Sequence, residues 1–315
     1  MDFPLIDFLD EAACYRKLVE LLHPDGLSCP RCGQRDRLGV HSRHREPVLQ
    51  YQCGHCGRVF NAWTGTILQG THRRPGQLLL ILHGVATGEP TARMARELGC
   101  DRKHLLELRH RLQEHARLGL DRNPLDDTVA EADEMYVNAG KKGVPHDDPA
   151  DPPRRRANRR RGHGTFANDR PPIAGVVGRE SGLFRSEVLD HANGAELQEV
   201  IDCTTLQGTT INTDAWKGYS GLPRMGRVHK TVDHSGPKST WARDDDGDGG
   251  REVHCNTQEG IWTHVRTFLR RFYGVSKWYL AQYQAVFQWG YNIKTVTDEF
   301  LRILLGIPPS TDSAP

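Results

Sequence analysis

Four cysteines near the start of the chain have the spacing of zinc ligands. Cys29 and Cys32 form one CxxC pair, Cys53 and Cys56 form a second, and 20 residues lie between the pairs. Such a set binds zinc tetrahedrally through Zn–S bonds of about 2.3 Å, and two redox or disulfide pairs are the alternative. Four sulfurs leave no coordination position for water or substrate. We therefore predict a structural Zn²⁺, so the reactive residues must lie elsewhere in the chain.

Three acidic residues later in the chain are candidates for catalysis. Asp133 and Asp214 each end a stretch with the composition of a β-strand, and Glu259 lies in the first turns of a predicted helix. Carboxylates at strand ends lie at the rim of a sheet, where open α/β folds bind ligands. Arg266 follows Glu259 by seven residues and shares its face of the helix. Three carboxylates from separate elements suit two Mg²⁺ ions in phosphoryl transfer, although 40 acidic residues also offer such sets by chance.

A run of arginines is the strongest feature of the charge distribution. The net charge of +2 is nearly neutral, but residues 154–161 contain six arginines. Such runs often form arms that contact phosphates, and a solvated loop is the alternative. The candidate phosphate contacts are Arg154, Arg155, Arg156, Arg159, Arg160 and Arg161.

Length and composition limit the class of protein. The 315 residues predict two or three domains with at least one sizeable core. No stretch of about 18 apolar residues is present, so no membrane span is expected. The N-terminal residues lack the apolar core of a secretory signal, and four of the eight cysteines have no pairing logic. These observations predict a reducing, cytoplasmic setting.

The first part of the chain is predicted to contain three small modules. We expect an N-terminal helix in residues 1–26, a zinc ribbon in 27–63 and three helices in 75–120. A helix, a glycine turn and a further helix are typical of a helix-turn-helix, whose last helix enters the major groove, although any three-helix bundle has this outline. The candidate DNA contacts are Arg102, Lys103, Arg109 and Arg111.

The second part of the chain combines strand and helix patterns. The predicted strands are 129–137, 173–178, 183–189 and 209–214. An amphipathic helix is predicted at 194–201, and two further helices at about 257–272 and 277–291. This order predicts an α/β domain, a mixed sheet flanked by helices, over residues 127–306. Residues 307–315 are small and polar, and we expect them to be disordered.

Four strings in this sequence resemble a known family when they are taken together with the cysteine pairs. They are Asp-Glu-Met-Tyr at 133–136, Thr-Asp-Ala-Trp-Lys-Gly-Tyr at 213–219, His-x-Asn-x-x-Glu-Gly-x-Trp at 254–262, and the stretch 279–292. The chain resembles the zinc-ribbon DDE transposases of bacterial insertion sequences, the ISXO-like group, over about residues 15 to 295. The resemblance implies an RNase H-like catalytic fold that cuts and joins DNA at the ends of a mobile element.

The resemblance also implies roles for individual residues. Asp133 and Asp214 match the two catalytic aspartates, and Glu259 matches the third acid. These three would hold catalytic Mg²⁺ or Mn²⁺. Some relatives use Asn or His as the third ligand, which leaves His254 and Asn256 as weaker candidates.

Three features depart from the family pattern. Arg266 stands where the family usually has lysine, and a guanidinium hydrogen-bonds differently from an ammonium group. The 44 residues between Asp214 and Glu259 exceed the usual spacing, and the loop 244–250 accounts for the excess. The arginine-rich run is longer than the usual basic segment. None of these departures removes a carboxylate.

The function implied by the resemblance is transposition. The ribbon and the helix-turn-helix would bind the terminal inverted repeats, the arginine arm would hold phosphates, and the carboxylates would support cleavage and strand transfer into target DNA. Because two ends must meet, a homodimer or larger assembly on DNA is expected. The alternatives are a zinc-ribbon DNA-binding regulator or an inactivated transposase without cleavage activity, and a nuclease that cuts without joining.

Two further signals receive a plainer interpretation. Residues 244–250 resemble the start of a calcium loop, but Cys255 stands at the twelfth position where the loop requires glutamate. We therefore predict no calcium site there. Trp216 and Trp262 flank the acidic residues, and core packing is favoured over base stacking for both.

Overall fold

The computed structural model describes residues 10–141, 161–233 and 241–308. Most of the predicted arginine arm lies outside these ranges, as does most of the predicted C-terminal tail. The arm residues concerned are Arg154, Arg155, Arg156, Arg159 and Arg160. None of the helices in these ranges combines the length and the hydropathy that a membrane span requires.

The secondary structure follows most of the sequence expectations. The described helices are α1 (Glu11–Leu22), α2 (Pro75–Ala86), α3 (Thr91–Glu97), α4 (Arg102–Leu118), α5 (Gly194–Thr204), α6 (Asn256–Arg270), α7 (Leu280–Ile293) and α8 (Asp298–Leu304). The described strands are β1 (Leu38–Ser42), β2 (Gln50–Cys53), β3 (Val59–Asn61), β4 (Val129–Tyr136), β5 (Pro172–Gly178), β6 (Phe184–Val188), β7 (Thr210–Asp214) and β8 (Val228–Val232). The helices α1 to α7 and the strands β4 to β7 confirm predicted elements, whereas β8 and α8 were not predicted.

Several helices begin where polar side chains satisfy their first backbone N–H groups. The carboxylate of Asp10 accepts the N–H of Ala12 at 2.8 Å before α1, and that of Asp101 accepts the N–H of His104 at 2.8 Å before α4. Pro75 opens α2, where its missing N–H costs nothing. Local capping of this kind stabilises the first turn of each helix.

The chain folds into two compact units. The first is formed by two separate stretches of the sequence, and the second by the residues between those stretches. One unit combines Met1–Gly119 with Ile293–Pro315, and the other is Leu120–Asn292. The sequence expectation placed the α/β domain up to residue 306, whereas the second compact unit ends at Asn292. Helix α8 packs against α1, α2 and α4, and Asp298 pairs with Lys17 of α1. A seven-residue helix carries too little periodicity to indicate its partner, so the sequence did not reveal this return.

The ribbon of the first unit is a three-stranded antiparallel sheet in the order β1-β2-β3. Its buried core consists of Phe60 and two cysteines, with a few partly buried apolar side chains around them. The two buried cysteines are Cys29 and Cys53. So small a core cannot balance the entropy of folding, and a metal must contribute.

The second unit is built on a mixed five-stranded sheet in the order β6-β5-β4-β7-β8. The strands β4, β5 and β6 are antiparallel, whereas β7 and β8 run parallel to β4. Helix α5 covers one face, where Ala130 and Ala132 of β4 contribute to the core. Helices α6 and α7 cover the other face, to which Met135 contributes. The predicted mixed sheet flanked by helices is confirmed.

Amide side chains of helix α7 cover β6, the edge strand of this sheet. Gln288 Oε1 accepts the N–H of Ser186 at 3.0 Å, and Asn292 Oδ1 accepts the N–H of Phe184 at 2.9 Å. Asn292 Nδ2 also donates to the Phe184 carbonyl oxygen, and Gln284 Nε2 donates to Ser186 Oγ. The three amides are four residues apart, so they form one stripe along the helix. This explains the polar positions of the stretch 279–292, because an uncovered edge strand would pair with other chains.

Candidate metal centre and active site

The four cysteines of the ribbon form a compact set of sulfur ligands. All four Sγ atoms lie within 4.8 Å of one another, with 3.5 Å between Cys29 and Cys56 and 3.7 Å between Cys32 and Cys53. A tetrahedral ion with bonds of about 2.3 Å separates its sulfurs by about 3.8 Å, so the set fits zinc. Both of these contacts join cysteines of different CxxC pairs, as a shared metal requires, whereas a redox pair would join the two cysteines of one motif.

Two matching turns create this ligand set. The N–H of Gly33 donates to the Cys29 carbonyl oxygen at 2.8 Å, and the N–H of Gly57 donates to that of Cys53 at 2.9 Å. Both glycines have a φ of 73°, a left-handed conformation that side chains disfavour. The glycine after each CxxC pair is therefore required by the backbone of the turn.

The protein environment prepares at least one thiolate. Burial raises the pKa of the Cys29 thiol, but hydrogen bonds from the backbone of Arg31 and Cys32 and from neighbouring thiols outweigh it and lower the pKa to about 6. Thiolates are the form of cysteine that binds metal. The site is thus a zinc-ribbon centre with no position for substrate.

The register of two parallel strands brings Asp133 and Asp214 together. The last pair of the ladder is Glu131 of β4 and Asn212 of β7, and the same register continued by two residues along each strand makes the two aspartates neighbours. Burial, and then the charges of Glu134 and Asp214, raise the pKa of Asp133 to about 7. Asp214 ends β7 as predicted, but Asp133 lies within β4, which continues to residue 136.

Both aspartates accept hydrogen bonds from tryptophans of the family-like sequence stretches 213–219 and 254–262. Trp262 Nε1 donates to Asp133 Oδ2 at 2.9 Å, and the N–H of Trp216 donates to Asp214 Oδ1 at 3.0 Å. Gly175 lies opposite Asp133 in β5, and a Cβ there would come within 2.6 Å of the Trp262 ring. Trp262 is buried as predicted, and its contact with Asp133 was not foreseen.

A second hydrogen bond joins the same two strings. Tyr219 Oη donates to Glu134 Oε2 at 2.6 Å, and Tyr219 is buried. Burial raises the pKa of Glu134, and burial together with the charge of Glu134 raises the pKa of Tyr219. The string at 133–136 and the string at 213–219 therefore hold each other in place.

Glu259 is the exposed member of the predicted acidic set. Burial raises the pKa of the neighbouring Cys255 thiol, and surrounding negative charges raise it further. Those charges belong to Glu131, Asp133, Asp214 and Glu259. The charges of four carboxylates therefore act on this thiol. The oxygens of the three predicted ligands are not all within 4.8 Å of one another, although all three lie in the described ranges.

The other candidate residues lie in α6 or immediately before it. Arg266 is exposed, two turns after Glu259 on the same side of the helix. His254 precedes the helix, and its Nδ1 lies 2.8 Å from Nη2 of Arg179. Asn256 is the exposed first residue of α6. Of the three possible third ligands, His254 already has a ring nitrogen in contact with a guanidinium, whereas Glu259 is the one that supplies a carboxylate.

A folded segment connects the end of the arginine run to the acidic residues. Arg161, the one arm residue within the described ranges, is exposed. Two residues later, His163 Nδ1 lies 2.7 Å from Tyr136 Oη, and its ring centroid lies 6.1 Å from that of Trp216. Arg170 fixes the same segment by donating to the Gly162 carbonyl oxygen at 2.7 Å.

The predicted DNA contacts of α4 separate into exposed and buried residues. Arg102 and Lys103 are exposed at the start of the helix. Arg109 is fully buried, and it donates to the Glu89 carbonyl oxygen. It is therefore not available to a phosphate in this structure, because it lies on the apolar side of the helix. Arg111 donates to the Ile67 carbonyl oxygen at 3.1 Å.

A separate group of acids lies in the long loop before α6. Ligand oxygens of Asp244, Asp246 and Glu252 lie within 4.8 Å of one another, so the third acid is Glu252 and not the twelfth position of a calcium loop. Glu252 is also 3.5 Å from Nζ of Lys230. Exposed carboxylates cluster in this way without an ion, and we assign none.

Family models match the chain in two segments. Residues 9–59 match a transposase zinc-ribbon domain, and residues 124–292, more than half of the chain, match the ISXO2-like transposase domain. A zinc ribbon joined to this catalytic domain defines an insertion-sequence transposase. The chain belongs to the ISXO2-like transposase family.

Individual relatives are more distant. An uncharacterized protein in the transposable element ISH50 of Halobacterium salinarum is 26% identical over 291 residues, which are 90% of this chain and 92% of the relative. The simian T-cell lymphotropic virus intasome in complex with PP2A regulatory subunit B56 gamma aligns over 71% of this chain and 66% of its own, just under two thirds, with 12% identity and a TM-score of 0.28. The Mos1 transposase paired-end complex with left transposon end aligns over 73% of each chain, with 10% identity and a TM-score of 0.28. Such low structural scores carry no argument about this chain.

Proposed function

We propose that this transposase cleaves and joins DNA strands at a site formed by Asp133, Asp214 and Glu259. The observation that carries the proposal is the register of β4 and β7, which makes the two aspartates neighbours on adjacent parallel strands. The strand order and the helices on both faces support the RNase H-like fold that the resemblance implies.

The donor chemistry of this site fits Mg²⁺ or Mn²⁺. Hard divalent cations prefer carboxylate oxygens, and burial together with the neighbouring carboxylates Glu134 and Asp214 raises the pKa of Asp133. A cation held by these carboxylates would relieve the repulsion between them. When bound, such ions activate the attacking oxygen and stabilise the leaving oxygen in phosphoryl transfer. Asp133, Asp214 and Glu259 would hold them.

The protein residues around the acids orient the reaction. Trp262 fixes the carboxylate of Asp133, and the backbone of Trp216 fixes that of Asp214. Arg266 supplies a positive charge for a DNA phosphate two helical turns from Glu259. In the first step, water attacks a phosphorus atom at the element end, and the bond to the 3′ oxygen breaks as that oxygen takes a proton. The freed 3′-hydroxyl then attacks target DNA in the same way.

We infer that DNA-end recognition belongs to the ribbon and to α3 and α4 acting as a helix-turn-helix. Arg102 and Lys103 support this role, because both are exposed at the first turn of α4. Replacing both with alanine should weaken end binding and reduce the slope of log affinity against log salt by about 2. Arg224→Ala, an exposed arginine of the second unit, is the matched control.

The arginine arm and the assembly complete the proposal. The arm residues, from Arg154 to Arg161, would hold phosphates near the acids, and the position of His163 beside Tyr136 and Trp216 supports this. A homodimer or larger assembly on DNA is expected because two element ends must be joined.

The decisive experiment compares wild type with Asp214→Asn on DNA carrying the element ends, with Mg²⁺ or Mn²⁺. Wild type should cut at fixed positions and join the ends to target DNA, whereas the variant should bind the ends without cutting. Asp190→Asn, which changes an exposed acid of the same unit, should behave like wild type.

Each other result has a definite meaning. Cleavage by Asp214→Asn would remove Asp214 from the site. Binding without cutting by wild type would favour a regulator or an inactivated transposase. Cutting without joining would favour a nuclease of the same fold.

A further inference from the structure

Glu131 is a fully buried acid that the proposed cleavage chemistry does not use. Its side chain is 0% exposed, and it lies two residues before Asp133 on the same face of β4. A buried charge is stable only when it is paired and hydrogen-bonded. The partners of Glu131 therefore indicate what the residue does.

Those partners come from the segment that leads into α6. Glu131 Oε1 accepts from Arg179 Nε and from Thr257 Oγ1, both at 2.9 Å. Glu131 Oε2 accepts the backbone N–H of Gln258 at 3.0 Å. His254 Nδ1 also lies 3.2 Å from Oε1. The donors lie on both oxygens of the carboxylate.

Glu131, a residue of β4, acts as the N-terminal cap of helix α6. The residue at the cap position, Cys255, makes no side-chain capping bond. The first N–H groups of a helix need acceptors, and negative charge at this end is favourable. Glu131 satisfies the N–H of Gln258, the residue immediately before Glu259. A single side chain thus connects the strand of Asp133 to the helix turn of Glu259.

Arg179 extends the same connection into the segment before the helix. Its Nη2 donates to the His254 carbonyl oxygen at 3.0 Å, and its Nη1 donates to that of Glu252. The entry to α6 is therefore held by a guanidinium that is itself paired with Glu131. Loss of Glu131 would release both attachments together.

We propose that Glu131 is a positioning residue, which fixes Glu259 relative to Asp133 so that the three acids bind divalent cations as a set. This inference rests on the proposed function. Partners that orient metal ligands typically change metal affinity by 10- to 100-fold when they are removed. Loss of the Glu131 carboxylate should therefore weaken Mn²⁺ binding by about 10-fold or more, without changing the affinity for DNA ends.

Glu131→Gln is the informative substitution, because it keeps the size of the side chain. An amide has one acceptor oxygen, so its NH₂ group must face either Gln258 N–H or the donors of Arg179 and Thr257. Asp127→Asn is the matched control. Asp127 is also buried, and it lies two residues before the first residue of β4. Its carboxylate accepts the N–H of Ser181 at 2.8 Å.

Two measurements on the full-length protein without DNA test the proposal. The first is Mn²⁺ titration by calorimetry of the zinc-loaded protein, for wild type, Glu131→Gln, Asp127→Asn and Asp214→Asn. The second is hydrogen exchange of the amides in the first turn of α6 in the absence of Mn²⁺. We expect Glu131→Gln to lose Mn²⁺ affinity and to speed exchange at Gln258. Asp127→Asn should do neither.

The outcomes separate the two proposals. If wild type and Asp214→Asn bind Mn²⁺ equally, the acids are not a metal site and both the proposed function and this inference fail. If Asp214→Asn loses binding but Glu131→Gln binds as tightly as Asp127→Asn, only the positioning role fails. Should Glu131→Gln not fold, Thr257→Val removes one of the bonds, with Thr267→Val on the exposed part of α6 as its control. Equal Mn²⁺ affinity in those two would overturn the inference.

Discussion

The cysteine site and the acidic site of this transposase are built in opposite ways. Cys29 and Cys56, which face each other across the ribbon, are 27 positions apart, and each belongs to a short local turn. Asp133 and Trp262, which meet at the acidic site, are 129 positions apart. The first site is therefore assembled from neighbouring residues, and the second from strands and helices of the whole unit.

This difference has an energetic consequence. The ribbon has almost no core besides its own cysteines, so binding of the metal supplies the free energy of folding. The acidic site rests on apolar clusters that cover both faces of a five-stranded sheet. Its carboxylates repel one another, so the packing holds them together before any cation binds. Folding of the ribbon therefore depends on its metal ion, whereas the sheet folds through apolar packing despite the repulsion between its carboxylates.

The largest expected effect breaks the ribbon alone. Cys53→Ser removes one of four zinc ligands, and structural zinc contributes about 10–16 kcal/mol in small peptide sites. We expect loss of zinc and rapid hydrogen exchange in β1 to β3, measured by metal analysis and exchange mass spectrometry. Cys203→Ser changes an exposed cysteine of α5 and should alter neither. One retained zinc per chain in Cys53→Ser would contradict the four-cysteine site.

The next effect tests packing at the acidic site. Gly175→Ala places a Cβ 2.6 Å from the Trp262 ring and 2.9 Å from the Phe184 ring, in a region where the backbone cannot move freely. Overpacking of this kind costs about 1–3 kcal/mol. Urea unfolding of the variant should report that loss.

The control for this substitution is a glycine with open space. Gly290 of α7 has no atom within 4 Å of an added Cβ, so Gly290→Ala should stabilise the protein by about 0.5–1 kcal/mol. If the two variants changed the free energy of unfolding by the same amount, the close approach of Trp262 to β5 would not matter for stability.

A third prediction concerns the edge of the sheet. Gln288→Met keeps the length of the side chain but leaves the N–H of Ser186 without its acceptor. An unsatisfied, partly buried N–H costs about 1–2 kcal/mol, and an uncovered edge strand favours aggregation. Urea unfolding and light scattering measure the two effects. Gln207→Met, on the surface of the same unit, is the control, and equal behaviour of both would contradict the capping role.

The smallest expected effect is a change with pH at the acidic site. The folded-state pKa of Asp133 is about 7, above the ordinary value of about 3.9. The stability contributed by its protonated form is full below the ordinary value and is lost as pH rises through about 7. Cations bind the ionised form, so the rise in unfolding temperature caused by Mg²⁺ should grow between about pH 6 and about pH 8.

Trp262→Phe sharpens this prediction. The substitution removes the N–H that stabilises ionised Asp133, while the ring still fills the core. The pKa of Asp133 should therefore rise, and the pH dependence of the Mg²⁺ effect should move to higher pH. Scanning calorimetry at several pH values measures the shift. An Mg²⁺ effect that does not vary with pH in wild type would contradict the protonation of Asp133.

Sequence patterns located most elements because the signals were local. CxxC spacing, glycine turns between helices, and apolar alternation each depend on a few adjacent residues. The edge strand β8 was missed because its residues are mostly exposed or partly buried. Arg109 was misjudged because a charged residue on the apolar side of a helix is rarely buried, and a carbonyl oxygen of a distant turn accepts its hydrogen bond.

The sequence by itself determined the zinc ribbon, the helices α1 to α7, four of the five strands of the sheet and the family to which the chain belongs. Only the tertiary structure decided that α8 joins the first unit, that Trp262 holds Asp133, and that Glu131 caps α6. The physical reason is the length scale of each interaction. Turns and caps are fixed within a few residues, whereas Glu131 and Thr257 are 126 positions apart and meet only when β4 and α6 pack together.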